Sequence, residues 1–286
     1  MRNDRVTLHS LVCPFHSHGS LIFVTRLSLS NTRRYSYSYG YGFGALERAY
    51  YDASNQVFYG GSEIGFVSVS DFVAFPNITI ADFGVDLAGE TLTDIKACGE
   101  YLFVSTKDDP NPGHVRIYTV AKRQDDGTLS EPSLVQQVGV GVGPDNLLVK
   151  ADCTLLVTAD EGEGDYDDDV GLVNPPGSVS IVKGPFGDAT TPPTVTTLVL
   201  DKWTDDELIA MGVHLPLSYN AMVYWNNPAN NINFTAAIAS YSSANVLEPE
   251  YLAWNGDETK VYVNLQENNA MVIVNVDTMQ VESIHS

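Results

Sequence analysis

The sequence predicts an all-β protein, a β-propeller built from four-stranded antiparallel blades. The first observation behind this prediction is residues 249–276, which hold three short apolar runs separated by polar turns at 255–257 and 266–269. Each run has the length of a strand and is too short for a helix. The third run is rich in β-branched residues, which suit a pleated surface. One such sheet cannot bury both of its faces alone, so the fold needs further copies.

The second observation is that the same order of runs and turns recurs along the chain, with a period of about 50 residues. That period and four strands per unit are typical of a propeller blade, whereas the alternative is a generic antiparallel sandwich. We therefore predict a partial propeller over residues 35–286, an incomplete ring of about four blades. The predicted blades span about 45–84, 91–140, 143–200 and 248–286.

Residues 201–247 interrupt the repeat, and their sequence predicts a short helical insertion. Thr204 and Glu207 have the spacing of a capping box, in which each side chain caps the backbone of the other residue. Leu208 follows as the first apolar residue, and Gly212 is placed to end the helix after about two turns.

Residues 1–34 differ from the rest of the chain. They hold five of the 15 Lys and Arg residues but a single acid, Asp4. The short apolar run at 21–24 is not long enough for a signal-peptide core. We expect this segment to be disordered or to be a mispredicted start of the gene, and we expect no signal peptide in the chain as given.

Composition limits the classes of partner. The formal net charge is −21 and no basic face is visible, so nucleic-acid binding is not expected. No run approaches the roughly 18 apolar residues of a membrane-spanning helix. Cys98 and Cys153 occupy the equivalent turn of two adjacent repeats, where a disulfide and two free thiols are both reasonable.

A pair of acids recurs with the blade, one at the start of its first strand and one at the end of its second, 14 to 17 residues apart. In antiparallel neighbours these two positions lie at the same edge, so the acids are predicted to gather at one rim. Carboxylate oxygens suit Ca²⁺, and Asn146, Asn268 and Asn269 are candidate carbonyl ligands. The alternative is that each acid caps a turn or pairs locally. The pairs are Glu47 with Glu63, Asp94 with Asp108, Asp145 with Glu161, and Glu250 with Glu267.

An acidic loop follows the third repeat's second strand, with seven carboxylates in residues 160–169. Alternating aspartates there resemble part of a calcium loop, but Val170 and Pro176 replace the Gly and Glu of an EF-hand, so a solvated charged loop is the alternative. Together the rim and the loop give the predicted metal ligands: Asp145, Glu161, Glu163, Asp165, Asp167, Asp169, Glu250 and Glu267.

Several motifs resemble the choice-of-anchor I propellers, a family that includes mesenchyme-specific cell-surface glycoproteins linked to biomineralisation. The resemblance covers about residue 35 to the end, and Asp160 stands where family members usually have Asn. It is carried by Tyr-Gly-Tyr-Gly-Phe-Gly at 39–44, Gly-Pro-Asp-Asn-Leu-Leu at 143–148, Ala-Asp-Glu-Gly-Glu at 159–163, Pro-Gly-Ser-Val-Ser-Ile at 176–181, Glu-Pro-Glu-Tyr at 248–251 and Leu-Gln-Glu-Asn-Asn-Ala at 265–270.

The resemblance implies an extracellular or cell-surface location. Together with the repeated acids, it leads us to expect a non-enzymatic propeller that binds a divalent cation or a partner such as extracellular matrix or mineral. Asn77 and Asn233 begin glycosylation triplets that fit such a location. The alternative function is a calcium-dependent phosphoesterase, because metals at an acidic propeller mouth can activate water. That chemistry also needs cationic side chains that hold phosphate. The Lys and Arg residues that lie near acids in the predicted blades are few: Lys96, Lys107, Arg116 and Lys260.

Overall fold

Four successive four-stranded antiparallel sheets make up the computed structural model. It describes residues 46, 48–73, 79–84, 87, 89–163, 165–167, 171–188, 190–215 and 243–286, without the side chains of 79–82, 165–167, 171–173 and 243. The predictions for residues 1–34 therefore lie outside the described residues. The described part belongs to one compact unit, Ser38–Ser286.

Each sheet coincides with one of the predicted repeats. Sheet 1 contains β1 (Arg48–Asp52), β2 (Val57–Ser62), β3 (Phe66–Asp71) and β4 (Thr79–Gly84). Sheet 2 contains β5 (Thr91–Cys98), β6 (Tyr101–Asp108), β7 (Asn111–Thr119) and β8 (Leu134–Val142).

Sheet 3 contains β9 (Pro144–Val149), β10 (Leu155–Asp160), β13 (Ser178–Lys183) and β14 (Thr194–Val199), and between β10 and β13 the chain forms a two-stranded hairpin of β11 (Asp165–Asp167) and β12 (Gly171–Val173). Sheet 4 contains β15 (Tyr251–Trp254), β16 (Lys260–Leu265), β17 (Ala270–Asn275) and β18 (Gln280–His285). The all-β class and the four-stranded antiparallel unit are confirmed.

The second strand of a middle sheet contributes to two cores, because successive side chains of a strand point to opposite faces. In β6, Leu102 and Val104 pack in the cluster with sheet 1, whereas Phe103 packs in the cluster with sheet 3. In β10, Leu156 lies in the cluster shared with sheet 2, whereas Val157 lies in the one shared with sheet 4. The sheets therefore follow one another face to face in sequence order.

The first strands of the sheets lie side by side, β1 against β5, β5 against β9 and β9 against β15. This is the arrangement of blades around an axis, with the first strand of each blade innermost. The strands that the structure describes do not close into a ring.

The first turn of each sheet has one residue with a positive φ: Gln56, Gly99, Cys153 and Glu258. In sheet 4 the turn forms where Asn255-Gly256-Asp257 predicts it, but the left-handed residue is Glu258. The aspartate side chain explains this shape, because Asp257 accepts hydrogen bonds from both the backbone and the hydroxyl of Thr259.

A disulfide joins Cys98 to Cys153, with their Cα atoms 5.6 Å apart. It links the first turn of sheet 2 to that of sheet 3. Of the two alternatives that the sequence leaves open, the structure has the bridge.

The predicted capping box is present. Helix α1 (Asp205–Ala210) begins after Thr204, whose side chain accepts from the backbone of Glu207, and the Glu207 carboxylate accepts from the backbone of Thr204. Leu208 is buried in the core between sheets 3 and 4, and Gly212 follows with φ 87°. A 3-10 helix, Ser243–Val246, precedes sheet 4. In the described part of the chain, no helix has the length and apolar character needed to cross a membrane.

Candidate functional site

The starts of the first strands converge on the guanidinium of Arg48. Its Nε donates to the Thr93 carbonyl at 2.7 Å, and its Nη2 lies 3.1 Å from the Asp145 carboxylate. Its Nη1 donates to the Tyr251 hydroxyl at 3.2 Å, so one side chain of sheet 1 contacts sheets 2, 3 and 4. Asp145, a predicted metal ligand, thus already has a cationic partner.

Six carboxylates around the Arg48 guanidinium are close enough to influence one another electrostatically. β9 supplies Asp145, the segment after β10 supplies Glu161 and Glu163, and the segments flanking β15 and β16 supply the others. These are strand starts and ends at one edge of neighbouring antiparallel sheets, as the recurring acid pair predicts. The six are Asp145, Glu161, Glu163, Glu248, Glu250 and Glu267. We call this set the acidic rim.

Burial dominates the titration of two rim residues. It raises the pKa of Glu161 to about 8, with the charges of Glu163, Asp145 and Glu248 acting in the same direction and Lys107 opposing them. Burial likewise raises the pKa of Glu248 to about 7, and each charged neighbour that acts on it is another rim carboxylate. Both groups would keep a proton near neutral pH unless a cation replaced it.

Among the predicted carboxylate ligands whose side chains the structure describes, Glu250 is the least exposed, with 9% of the residue's surface accessible to solvent. Burial raises its pKa, and the charges of Asp145, Glu267 and Glu163 raise it further. Its backbone N–H donates to the Asn264 carbonyl at 3.0 Å. Within the described residues, its carboxylate has no hydrogen bond and no ion pair.

Lys107 is the lysine nearest the rim, with Nζ 3.4 Å from Asp109 and 3.9 Å from Glu163. The other cations that the sequence places near acids pair elsewhere: Lys96 with Asp94, Arg116 with Glu90, and Lys260 with Glu282. The acids of the rim therefore outnumber the cations that face them.

The asparagine carbonyls predicted as ligands have structural roles at two of the three positions. Asn146 Oδ1 accepts from the Leu252 backbone and thereby ties sheet 3 to sheet 4. Asn268 is fully buried, and its Oδ1 accepts from the Glu248 backbone. Its amide donates to the carbonyls of His214 and Val246, so Asn268 positions the segment that carries Glu248.

The recurring acid in sheet 2 also has a structural role. Asp94 is buried and accepts from the side chains of Lys96 and Asn146 and from the backbone of Leu147. Asp108, its predicted partner, accepts from Asn111 in the next strand. Local pairing, the alternative weighed from the sequence, describes Asp108 and the contact of Asp94 with Lys96, whereas the bonds from Asn146 and Leu147 join Asp94 to sheet 3.

The structure describes only part of the acidic loop that the sequence predicts as a metal site. β11 contains Asp165 and Asp167, but their side chains lie outside the described residues, as do Asp169, Asn77, Asn233 and Glu47. Among the side chains that are described, no three acids, histidines or cysteines stand in an arrangement that would hold a metal ion.

Glu248 is the rim residue that the repeat pattern does not predict. A signal for it exists, because Glu248 and Glu250 flank Pro249, and residues two apart in an extended segment point to the same side. The alignment of acid pairs includes one acid at each strand start, so it includes Glu250 and omits Glu248.

Comparison with known proteins gives one family. The choice-of-anchor I domain family matches residues 47–286. No curated protein matches this chain.

Three of the similar solved structures are remote from this chain in sequence, and the chain spans between 36% and 55% of their lengths. A putative 6-phosphogluconolactonase from Bacteroides fragilis is 20% identical, with a TM-score of 0.37, covering 52% of this chain and 36% of that chain. The β-propeller domain of Cps50 (Swd1) from Myceliophteria thermophila is 10% identical, with a TM-score of 0.46 and coverages of 80% and 55%. Hydrazine synthase from Kuenenia stuttgartiensis is 10% identical, with a TM-score of 0.44 and coverages of 80% and 52%.

Proposed function

Because this chain belongs to the choice-of-anchor I domain family, we propose that it is a non-enzymatic, extracellular or cell-surface β-propeller domain that binds Ca²⁺ at the acidic rim. The family name suggests attachment at a cell surface. The Cys98–Cys153 disulfide supports the location, since disulfides persist mainly in oxidising compartments.

The observation that carries the calcium proposal is the environment of Glu250. Only 9% of the surface of the whole Glu250 residue is exposed, and its charged neighbours are other carboxylates, so ionising it is costly. A proton or a bound cation relieves that cost. Ca²⁺ is the divalent ion best suited to such a set, because it takes six to eight oxygen ligands in flexible geometry.

A calcium ion held at the rim also suggests the class of partner. Ca²⁺ with coordination positions left to solvent can bridge the domain to anionic material, such as matrix polymers or mineral. With a net charge of −21, the protein would be repelled by such material unless a divalent cation lay between them. Biomineralisation or adhesion is the role that this chemistry fits.

The alternative, a calcium-dependent phosphoesterase, needs cationic side chains that are free to hold phosphate. Lys96, Arg116 and Lys260 each pair with a carboxylate that is not one of the six rim residues. Arg48 and Lys107 remain near it, and both contact rim acids. This favours binding over catalysis, and hydrolysis of a chromogenic phosphate ester with added Ca²⁺ would support the alternative.

Thermal unfolding tests the proposal. Ligand that binds only the folded state stabilises it by RT ln(1 + [L]/Kd), about 2.7 kcal/mol at a hundredfold excess over Kd. We expect millimolar CaCl₂ to raise the Tm well above the value in NaCl of equal ionic strength. Equal Tm values in the two salts would mean that the rim is only a solvated acidic surface.

A further inference from the structure

The outermost strand of sheet 3 has a backbone edge without a partner strand in the part of the chain that the structure describes. Sheet 3 has the order β14-β13-β10-β9, so β14 pairs with β13 on one side only. The register between these two strands is unbroken over all 6 residues of β14. The other side of β14 is therefore a regular template to which a further strand can add.

The pairing with β13 fixes which backbone groups of β14 face outward. Leu200 N–H, just after the strand, donates to the Gly177 carbonyl at 3.1 Å and continues the same register. Because hydrogen-bonded and non-hydrogen-bonded pairs alternate along antiparallel strands, every second residue of β14 turns its N–H and C=O groups away from β13. No described residue bonds to these outward groups. The outward residues are Val195, Thr197 and Val199.

The outer edges of the other sheets are interrupted or charged. The pairing of β8 has two register shifts, and its Gln136 side chain donates to the Asp188 carbonyl. The pairing of β18 has one register shift, and the Lys202 ammonium donates to two of its carbonyls. β4 includes an acid, Asp82. Bulges and charges of this kind prevent pairing at sheet edges, and β14, Thr-Val-Thr-Thr-Leu-Val, has neither.

The outward side of β14 is complementary to a second copy of itself. If two β14 strands pair antiparallel about a two-fold axis at Thr197, each Thr197 lies opposite its own copy, and each Val195 lies opposite Val199 of the second copy. All three outward residues then exchange backbone hydrogen bonds. Val195 and Val199 are each 38% exposed, so these side chains are available for cross-strand contacts between β-branched residues.

Charge also favours this edge as the place where two copies meet. The formal net charge of −21 opposes contact between copies over most of their surface. β14 brings no charged side chain to the contact, so pairing there adds no new repulsion between facing residues.

We propose that two copies of this chain associate through β14, in antiparallel pairing centred on Thr197, so that their third sheets join into one continuous sheet. The same strand serves on both copies, as a two-fold contact requires. The contact is small, so association is weak and reversible. The dimer does not depend on Ca²⁺, and it carries two acidic rims in one assembly.

The test is sedimentation velocity of the full chain with Cys13→Ser, so that no disulfide through Cys13 links two copies. From about 1 to about 500 µM, a range suited to weak association, the sedimentation coefficient should rise toward that of a dimer. Added NaCl should strengthen the association, because it screens the repulsion between two acidic copies. A chain that stays monomeric over the whole range, with and without added NaCl, would overturn the proposal.

Charged variants test the strand and its register. Val195→Lys, Val199→Lys places like charges directly opposite each other at two symmetric pairs and should weaken the dimer by about tenfold or more. Val195→Lys, Val199→Glu places opposite charges at the same pairs and should keep the affinity within about threefold of the parent. Ile64→Lys, Met271→Lys is the matched control, with the same added charge at exposed positions of sheets 1 and 4, and should dimerise as the parent does.

Two outcomes would overturn the proposal here. If the double lysine variant dimerises as tightly as the parent, β14 is not the interface. If the lysine–glutamate variant is as weak as the double lysine variant, the two strands do not face each other in this register. Folding of each variant is checked by its circular dichroism spectrum and its cooperative unfolding.

A cross-link covers the case in which the double lysine variant does not fold. Opposite residues of a hydrogen-bonded antiparallel pair have Cα atoms about 5.5 Å apart, a separation that a disulfide spans. Thr197→Cys in the Cys13→Ser chain should therefore form a covalent dimer with oxidised glutathione as the oxidant. Ile64→Cys, also exposed, is the control and should stay largely monomeric. Equal yields of covalent dimer from the two variants would contradict the pairing at Thr197.

Discussion

Arg48 and Asp145 form an ion pair with 3.1 Å between Nη2 and Oδ2, although 97 residues separate them in the sequence. The pair joins the first strand of sheet 1 to the first strand of sheet 3 across the innermost strands. The same guanidinium donates to Tyr251 in sheet 4, and its carbon lies 5.7 Å from the centre of that tyrosine ring. One cation at the rim thus holds strand starts from four sheets together.

Replacing Arg48 with Met should destabilise the fold by about 1–2 kcal/mol, a value reduced from the buried-pair range because the pair is about a quarter exposed. The loss should grow as the pH rises and more rim carboxylates ionise. Lys122→Met is the control, since Lys122 pairs with Glu100 on the surface and both side chains are mostly exposed. Its effect on urea unfolding should lie within about 0.5 kcal/mol, and equal effects for the two variants would contradict the role given to Arg48.

Two glycines of β8 offer a matched pair of substitutions. A Cβ on Gly141 would be only 2.4 Å from both Asp160 Oδ2 and Ser178 Oγ, whereas a Cβ on Gly139 would meet nothing within 4 Å. Gly141→Ala should therefore destabilise the protein by about 1–3 kcal/mol through overpacking. Gly139→Ala should change the free energy of unfolding by less than about 0.5 kcal/mol. Similar urea midpoints for the two variants would show that sheets 2 and 3 do not pack this closely.

Asp160 explains why β8 needs glycine at that point. Its carboxylate is fully buried and accepts from the hydroxyls of Thr158, Ser178 and Ser180. Burial raises the pKa of Asp160 to about 6 despite these donors. The Ser180 hydroxyl in turn accepts from the Gly141 backbone, so the cluster lies directly against sheet 2.

Stability should fall as the pH rises from about 5 to about 8.5. The pKa of Glu161 is raised to about 8 and that of Glu248 to about 7, from ordinary values near 4.5, so between these limits the folded state binds more protons than the unfolded state. The stabilising contribution is complete below the unfolded pKa and is lost as the pH passes the folded pKa values. We expect the Tm in metal-free buffer to drop by a few degrees across this range.

A Glu161→Gln, Glu248→Gln variant should show a flatter pH profile, because it lacks two of the groups that titrate there, while Asp160, with a pKa of about 6, remains. A parent Tm that rises steadily from pH 5 to 8.5 would contradict the crowding of carboxylates at the rim.

The disulfide gives a chemical prediction. A Cys13→Ser chain denatured without reductant should contain no thiol that reacts with Ellman's reagent, and two thiols would contradict the Cys98–Cys153 bridge. Reduction should lower the unfolding free energy by about 2–4 kcal/mol, since the bridge closes a loop with a sequence separation of 55.

Strand order could be predicted from the sequence because alternation and turn chemistry are local. The apolar pattern alone predicts the strands at 251–254 and 261–265, and the capping box alone predicts the helix after Thr204. The roles of single rim acids could not be predicted in this way. Whether an acid such as Asp145 is free or already paired depends on Arg48, which lies far away in the chain and arrives only when the sheets pack.

The same limit explains why the structural roles of the asparagines could not be predicted from the sequence. Asn268 stands in an acid-flanked turn, and its sequence neighbours suggest a ligand. Its complete burial and its bonds to His214 and Val246 follow from the segment before sheet 4, which no local pattern places against it.

The central claim is that the rim binds Ca²⁺, and the most direct measurement is calorimetric titration of CaCl₂ into metal-free protein at pH 8 and constant ionic strength. The account predicts a saturable isotherm for the parent chain and none for a Glu161→Gln, Glu248→Gln, Glu250→Gln variant that unfolds cooperatively. A parent chain that gives only heats of dilution, or a triple variant that binds as the parent does, would contradict it.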